Sequence, residues 1–357
     1  MNAKRLYIDF HVLQTVPPSC VNRDDTGSPK TAAYGGTVRA RVSSQAWKRA
    51  IRIMFRDGLI DPSLIGERTK KIVSMVAQEI DARAPGLDSA KLAKKALENA
   101  GLKNVTEEKD TDALFFMSHA QAHALAALCV ANCEDKAAYK EALKKEPSAD
   151  MALFGRMVAN DPSLNYDAAA QVAHSISTHA VQSEFDYFTA VDDRAPENNA
   201  GAGHLGTVEY NSSTLYRYAT VNATELAGHL GAAETPAIVR AFAEAFIRSM
   251  PTGKQNTFAN RTLPDAVYVT VRCDQPINLS NAFERAVPAS EEGYAEKSKQ
   301  RLAECARQTY RNFADAPTEA FAVGFGAQDL APDMSLRELL DGLADAVRRH
   351  LDGNEVT

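Results

Sequence analysis

Residues 34–56 read YGGTVRARVSSQAWKRAIRIMFR. Val38, Ala40 and Val42 alternate with Thr37, Arg39, Arg41 and Ser43, which is the period of a strand. The period then changes. Trp47, Ile51 and Met54 form one apolar stripe of a helix, and Ser43 and Ser44 are suitable N-caps for it. Upstream, Leu6, Ile8, Phe10 and Val12 alternate with Tyr7, Asp9 and His11, a second strand. Between the two lies VPPSCVNRDDTGSPKTAAYGG, read as a loop too long for a hairpin and therefore functional or wrapped on something.

Downstream, residues 61–182 change character. Ala, Leu, Lys and Glu dominate, and KIVSMVAQEI, KLAKKALENA and ALFFMSHAQAHALAALCVANC carry helical spacing. Strands resume at TLYRYATVN, AVYVTVRC and EAFAVGFGA. One helix is expected over residues 236–250, stopped by Pro251, and a terminal amphipathic helix over 336–351. Strands from both ends enclosing a helical block predict an α+β core with an inserted subdomain. The stretch DYFTAVDDRAPENNAGAGHLGTVEYNS is too polar and glycine-rich to bury much surface, which predicts a projecting loop or ribbon.

The chain has 357 residues, a length suited to two domains or to one carrying insertions. Hydrophobic residues at 45% and charged residues at 24% exclude a disordered or fibrous whole. Forty basic against forty-six acidic side chains give a net charge of -6, which excludes a generically basic nucleic-acid binder; any such binding needs a local basic surface. Five cysteines make no disulfide framework and fit a reducing compartment. Asp9 and His11 interrupt the apolar residues of MNAKRLYIDFHVLQ, so neither a signal peptide nor a membrane span is expected, and the expected setting is the cytoplasm.

Several motifs fail on context. GAGHLG, with Gly201, Gly203 and Gly206, matches a dinucleotide fingerprint but is followed by strand-like Thr207–Tyr210 instead of a helix. Gly253-Lys254 lacks the first glycine and the Ser/Thr of a P-loop. His119 and His123, and Cys129 and Cys133, are i, i+4 pairs, yet the two pairs are separated by roughly 15 Å along a helix, too far to share one ion. No cofactor and no resident metal are expected. Asp24-Asp25 and Asp192-Asp193 are the tight carboxylate pairs in loops; they suit either Mg²⁺ or Asx turns. No catalytic set is assigned.

Charge distribution carries the positive signal. No acid falls between Thr26 and Arg56, while Lys30, Arg39, Arg41, Lys48, Arg49, Arg52 and Arg56 are all basic. Lys48 and Arg52 stand one turn apart, roughly opposite the apolar stripe. Ser43, Ser44 and Gln45 add neutral donors at the helix start, where free amides also bind anions. The charge clustering alone suits either a phosphate track running from strand edge to helix face or a solvated basic face offset by acid elsewhere.

The same residues carry a resemblance. SCVNRDD, YGGTVRARVSSQAWKRA and FDYFTAVDD...GHLGT...YRYA resemble the CasC family, the repeated backbone subunit of the type I-E CRISPR surveillance complex, Cascade. The match is sharp over residues 10–52 and 152–219 and looser through the helical insert. It implies a modified RRM-like (ferredoxin-like) palm formed by residues 1–57 and 212–357, with a C-terminal helix. Helical fingers would be inserted at 58–180, and a protruding ribbon or loop thumb would occupy 181–211. It also implies a non-enzymatic protein that oligomerises head to tail along CRISPR RNA and presents the guide to target DNA in antiviral defence. Its partners would be further copies of itself and the Cascade subunits CasA, CasB, CasD and CasE, with no membrane. By motif, Arg23, Ser43, Gln45, Lys48 and Arg52 resemble guide-phosphate contacts. Met157, Phe188, Thr189, Ala190 and Val191 resemble the group flanking a displaced nucleotide. Lys140 and Lys144 in the insert are candidates for DNA contact. The rival reading is a metal-dependent RNA-cleaving backbone subunit that uses Asp24, Asp25 and Asp192.

Overall fold

The computed structural model describes residues 5–103, 105–106, 110–111, 114–158, 161–190, 194 and 205–355. Strand Tyr7–Ser19 lies at the centre of an antiparallel sheet. It pairs with Leu205–Asn222 on one side, Phe10 opposite Ala219, and with Ala266–Arg272 on the other, Phe10 opposite Val269. Glu319–Val323 extends the sheet beyond Ala266–Arg272. Past Leu205–Asn222 come Ser175–Ser177, Thr37–Val42 and Thr31–Tyr34. The alternation at the amino-terminal strand is realised, and it sorts two cores. Ile8, Phe10 and Val12 face helices Thr235–Arg248 and Leu336–Glu355, with the Phe10 ring 5.4 Å from Phe242. This is the α+β, RRM-like palm.

The opposite face is buried too, although its residues are polar. Asp9 accepts from the Tyr218 hydroxyl and the Ile277 amide, each at 2.8 Å, while burial pushes its pKa up to about 6. His11 shares a 2.9 Å hydrogen bond with the Tyr216 hydroxyl, and burial drives its pKa down to about 3. Helix Ala295–Asn312 closes this face, bringing Tyr310 to 3.3 Å from the Tyr268 hydroxyl.

The presumed loop of residues 16–36 carries strand at 16–19 and 31–34, with turns between. Tyr7–Ser19 continues past Val16 through a register shift at Pro17 and Pro18, where the missing proline amides break the ladder. Thr31–Tyr34 and Thr37–Val42 form a hairpin whose two-residue turn is Gly35-Gly36, both with positive φ. Only glycine fits at Gly35, because a Cβ there would lie 1.6 Å from the Glu284 carbonyl oxygen.

Helices Ile72–Arg83, Ser89–Asn99, His119–Val130 and Lys136–Ala142 enclose a separate apolar core of Val76, Ile80, Leu97, Leu125 and Leu143, as the helical spacing predicts. Strands Ala170–Val172 and Ser175–Ser177, in the stretch read as helical, hydrogen-bond to the main sheet. The sheet therefore resumes before residue 180. The projecting segment is a β-ribbon at its base. Glu184–Thr189 pairs with the first residues of Leu205–Asn222, Phe188 opposite Gly206, and all six residues of the shorter strand are exposed.

Candidate nucleic-acid interface

Helix Ser44–Met54 positions the site. The Ser43 hydroxyl accepts from the Ala46 amide at 3.3 Å, and the Ser43 amide donates to Asn22 Oδ1 at 2.9 Å, which ties the NRDD loop to the helix start. Trp47, Ala50 and Ile51 turn inward. Trp47 Nε1 donates to Ser175 Oγ at 2.9 Å, and the Arg217 guanidinium stacks 3.8 Å from the Trp47 ring centre. Arg217 also donates to Gln14 Oε1 at 2.6 Å and to the Phe246 carbonyl; burial lowers its pKa to about 9. With this rotation fixed, Gln45, Lys48, Arg49 and Arg52 point away from the core.

They face a cleft of about 840 Å³ between palm and fingers. The palm wall is Gln45, Lys48, Arg49, Arg52 and Arg56; the finger wall includes Arg68, Phe116, Met157 and Tyr166. Asp167 is the one acid among the described lining residues. Met157 is 85% exposed, an unbranched apolar side chain held in the open. Lys48 is half-buried with Nζ 5.7 Å from the Phe154 ring centre, and burial lowers its pKa. Arg23 lies in an adjoining pocket of about 190 Å³, with Asn22, Ala46 and Gly253. Arg49 lines both pockets, so the basic surface is continuous from the NRDD loop to the fingers.

Not every cation of the basic run is available. Arg39, expected on an exposed strand face, is wholly buried, and Val38 on the opposite face is exposed. Arg39 donates to the carbonyls of Ser177 at 2.9 Å and Phe283 at 3.0 Å; it joins the hairpin to the segment around residue 283. Arg41 donates to the Thr31 carbonyl at 3.1 Å and contacts His174 Nδ1 at 3.0 Å. Arg52 makes an ion pair at 2.8 Å with Asp150, and its guanidinium lies 4.7 Å from the Phe116 ring centre. Arg156 lines the cleft, but its guanidinium serves the carbonyls of Leu164, Phe116 and Leu143 and the Gln121 side chain; burial lowers its pKa to about 10. Lys140 is paired with Asp161 at 2.7 Å.

Asp24 Oδ1 accepts from the Thr26 hydroxyl at 2.7 Å, the Thr26 amide at 2.9 Å and the Ser28 amide at 3.0 Å. These bonds, the Thr26 hydroxyl foremost, hold its pKa below the usual carboxylate range. His119 and His123 face Glu67 and Glu79 respectively. Val191, Asp192, Asp193, Gly201 and Gly203 lie outside the described residues.

The structure thus brings Gln45, Lys48, Arg52 and Met157 to one cleft, with Arg23 beside it and Ser43 as the helix cap. It does not bring Phe188, Thr189 or Ala190 to the lining of that cleft within one chain; they stand on or just beyond the ribbon. There the Phe188 ring covers Gly206, where a Cβ would come within 2.4 Å of it. Sequence reasoning missed Arg68, Phe116 and Tyr166. They arrive from the fingers, and no local pattern marks them.

Cations along a helix, an apolar side chain across the cleft and an aromatic ribbon suit a phosphate backbone with an unstacked base. On an RRM-like palm with a helical insert, they define a candidate binder of single-stranded nucleic acid. The chain belongs to the CT1975-like protein family, whose model matches residues 8–346. It is similar to a chain of a CRISPR RNA-guided surveillance complex in a pre-nicking state, with a TM-score of 0.77 and 36% identity over 96% of this chain and 100% of that one. A second CRISPR RNA-guided surveillance complex contains a chain with a TM-score of 0.63 and 30% identity, covering 95% of this chain and 99% of its own. A comparison with curated protein sequences gives no match.

Proposed function

We propose that this chain binds CRISPR RNA as the repeated backbone subunit of a type I-E Cascade complex in the cytoplasm, oligomerises along the guide and presents it for pairing with target DNA. The carrying observation is the palm–finger cleft, where Lys48 and Arg49 meet the exposed Met157. Such a surface grips phosphates and flanks a base without reading base edges, which is what a holder of arbitrary guides needs. The net charge of -6 fits a protein whose basic surface is confined to one track. Further copies of the chain and the CasA, CasB, CasD and CasE subunits complete the assembly.

The rival, cleavage of RNA by a loop aspartate with a divalent metal, is disfavoured by Asp24. Its Oδ1 is already engaged by three donors within its own loop. Nucleic acid co-purified with the native complex tests the proposal: a uniform short RNA with repeat-derived ends supports it, and its absence refutes it. Incubating that complex with complementary RNA and Mg²⁺ separates the readings, because regular cleavage lost in Asp24→Ala or Asp192→Ala would establish the enzyme.

A further inference from the structure

We infer that Arg56 and Arg68 form a second phosphate seat at the finger end of the cleft, separate from the track on helix Ser44–Met54. The inference rests on the reading of the cleft as an RNA-binding site and names the finger residue, Arg68, that joins Arg56 of the palm wall in it. Arg56 follows that helix, and Arg68 stands on the short finger strand Glu67–Thr69. Both side chains are exposed and both line the cleft. The bend that carries them is fixed from beneath. Gly66 donates its amide to Asp150 Oδ1 at 2.9 Å and accepts from Arg56 at 3.5 Å and Arg52 at 3.4 Å.

The charges on this bend divide by function. Asp150 balances Arg52, whereas neither Arg56 nor Arg68 forms an ion pair among the described residues. Two exposed guanidiniums facing a cleft with a single acid in its lining are an unbalanced cationic surface. They sit on two chain segments that hydrogen bonds at Gly66 hold together, so the two backbones are side by side before any ligand arrives. Two guanidinium donors carried by neighbouring segments suit the oxygens of a phosphodiester. A strand that passes Lys48 on the palm would then be gripped again by the fingers.

The test measures binding of the purified full-length chain to a single-stranded RNA of about 30 nucleotides across a salt series. Arg56→Ala and Arg68→Ala are each expected to reduce the salt slope by about 0.7, and the double variant by about 1.4. With affinity scaling as salt to about the −0.7 power per contact, each loss weakens binding about 8-fold at about 50 mM salt, and both together about 60-fold. Arg56→Lys and Arg68→Lys should restore most of the slope. Arg337→Ala, on the outer helix Leu336–Glu355, should leave it unchanged. Unfolding midpoints equal to wild type confirm that the fold is intact. The seat is refuted if the wild type binds RNA and the double variant keeps its slope. It is also refuted as assigned if the defect appears only after complementary DNA is added, since the second strand would then own it. A wild-type chain that binds no RNA refutes the proposed function and this inference together.

Discussion

Replacing Asp150 probes the joint between palm and fingers. Its carboxylate is wholly buried and accepts from Arg52 Nε at 2.8 Å, the Gly66 amide at 2.9 Å and Ser148 Oγ at 2.8 Å. Asp150→Ala leaves all three donors without their acceptor and a guanidinium only 19% exposed without its counter-charge. Breaking a buried pair in this way costs about 3–5 kcal/mol. Asp150→Asn keeps an acceptor for Gly66 and Ser148 but loses the charge-assisted bond, a loss of about 1.5–3 kcal/mol. For 357 residues unfolding together, an entropy of about 2.1 cal/mol/K per residue converts the larger cost into a fall of about 4–7 °C in Tm. Calorimetry of the isolated chain reads the shift. Because the pair is shielded, raising the salt from 0.1 to 0.5 M should barely change the difference. Asp150→Ala within 1 °C of wild type, or less stable Asn than Ala, would refute this account of the joint.

Lys48→Ala should lower the salt slope of RNA binding by about 0.7 and act equally on unrelated guide sequences; altered sequence preference with an unchanged slope would contradict a phosphate role. Gly206→Ala should leave Tm nearly unchanged yet weaken guide protection against nuclease, because the new Cβ displaces the Phe188 ring. Asp9 and His11 should titrate in opposition. With its folded pKa raised to about 6, Asp9 makes the chain less stable as pH rises from about 4 to 6; with its own lowered to about 3, His11 makes it more stable as pH rises from about 3 to 6.5. Near pH 5 the two cancel. Asp9→Asn should therefore expose a gain approaching about 1.4 kcal/mol per pH unit, and His11→Gln a loss of similar size, in denaturant titrations at pH 4.5 and 5.5. Identical slopes in the two variants would remove the paired-burial explanation.

The parts of the fold legible in sequence are those fixed by local periodicity. Ile8, Phe10 and Val12 reveal a strand, and Trp47 and Ile51 behind Ser43 reveal a capped helix, because each pattern repeats within a few residues. Burial of the polar side of the first strand was illegible. Asp9 and His11 find their hydroxyl partners Tyr218 and Tyr216 more than two hundred residues away. Helix Ala295–Asn312 was missed because its inner face is largely Ser298, Leu302, Ala303 and Ala306, a weak stripe among charges. At the site, the run of cations was plain but their occupations were not. Arg39 and Arg52 read like Lys48, yet Arg39 is spent on buried carbonyls and Arg52 on an aspartate 98 positions away. A sequence displays charge and conceals counter-charge.

Leu205–Asn222 is one unbroken strand of 18 residues, roughly 60 Å from end to end at about 3.3 Å per residue. Its first third forms the ribbon and the remainder lies in the middle of the palm. Mechanically it is a cantilever clamped in the floor of the domain, and its ladder with Tyr7–Ser19 is interrupted only where the ribbon begins, opposite Pro17 and Pro18. A load on Leu205 or Gly206 is carried as tension along the backbone into the ladder with Tyr7–Ser19, and a swing of the ribbon must bend the strand. Where such an arm reaches across a bound strand, its reach varies little from one molecule to the next, and any ruler assembled from repeated copies would take its tolerance from that clamp.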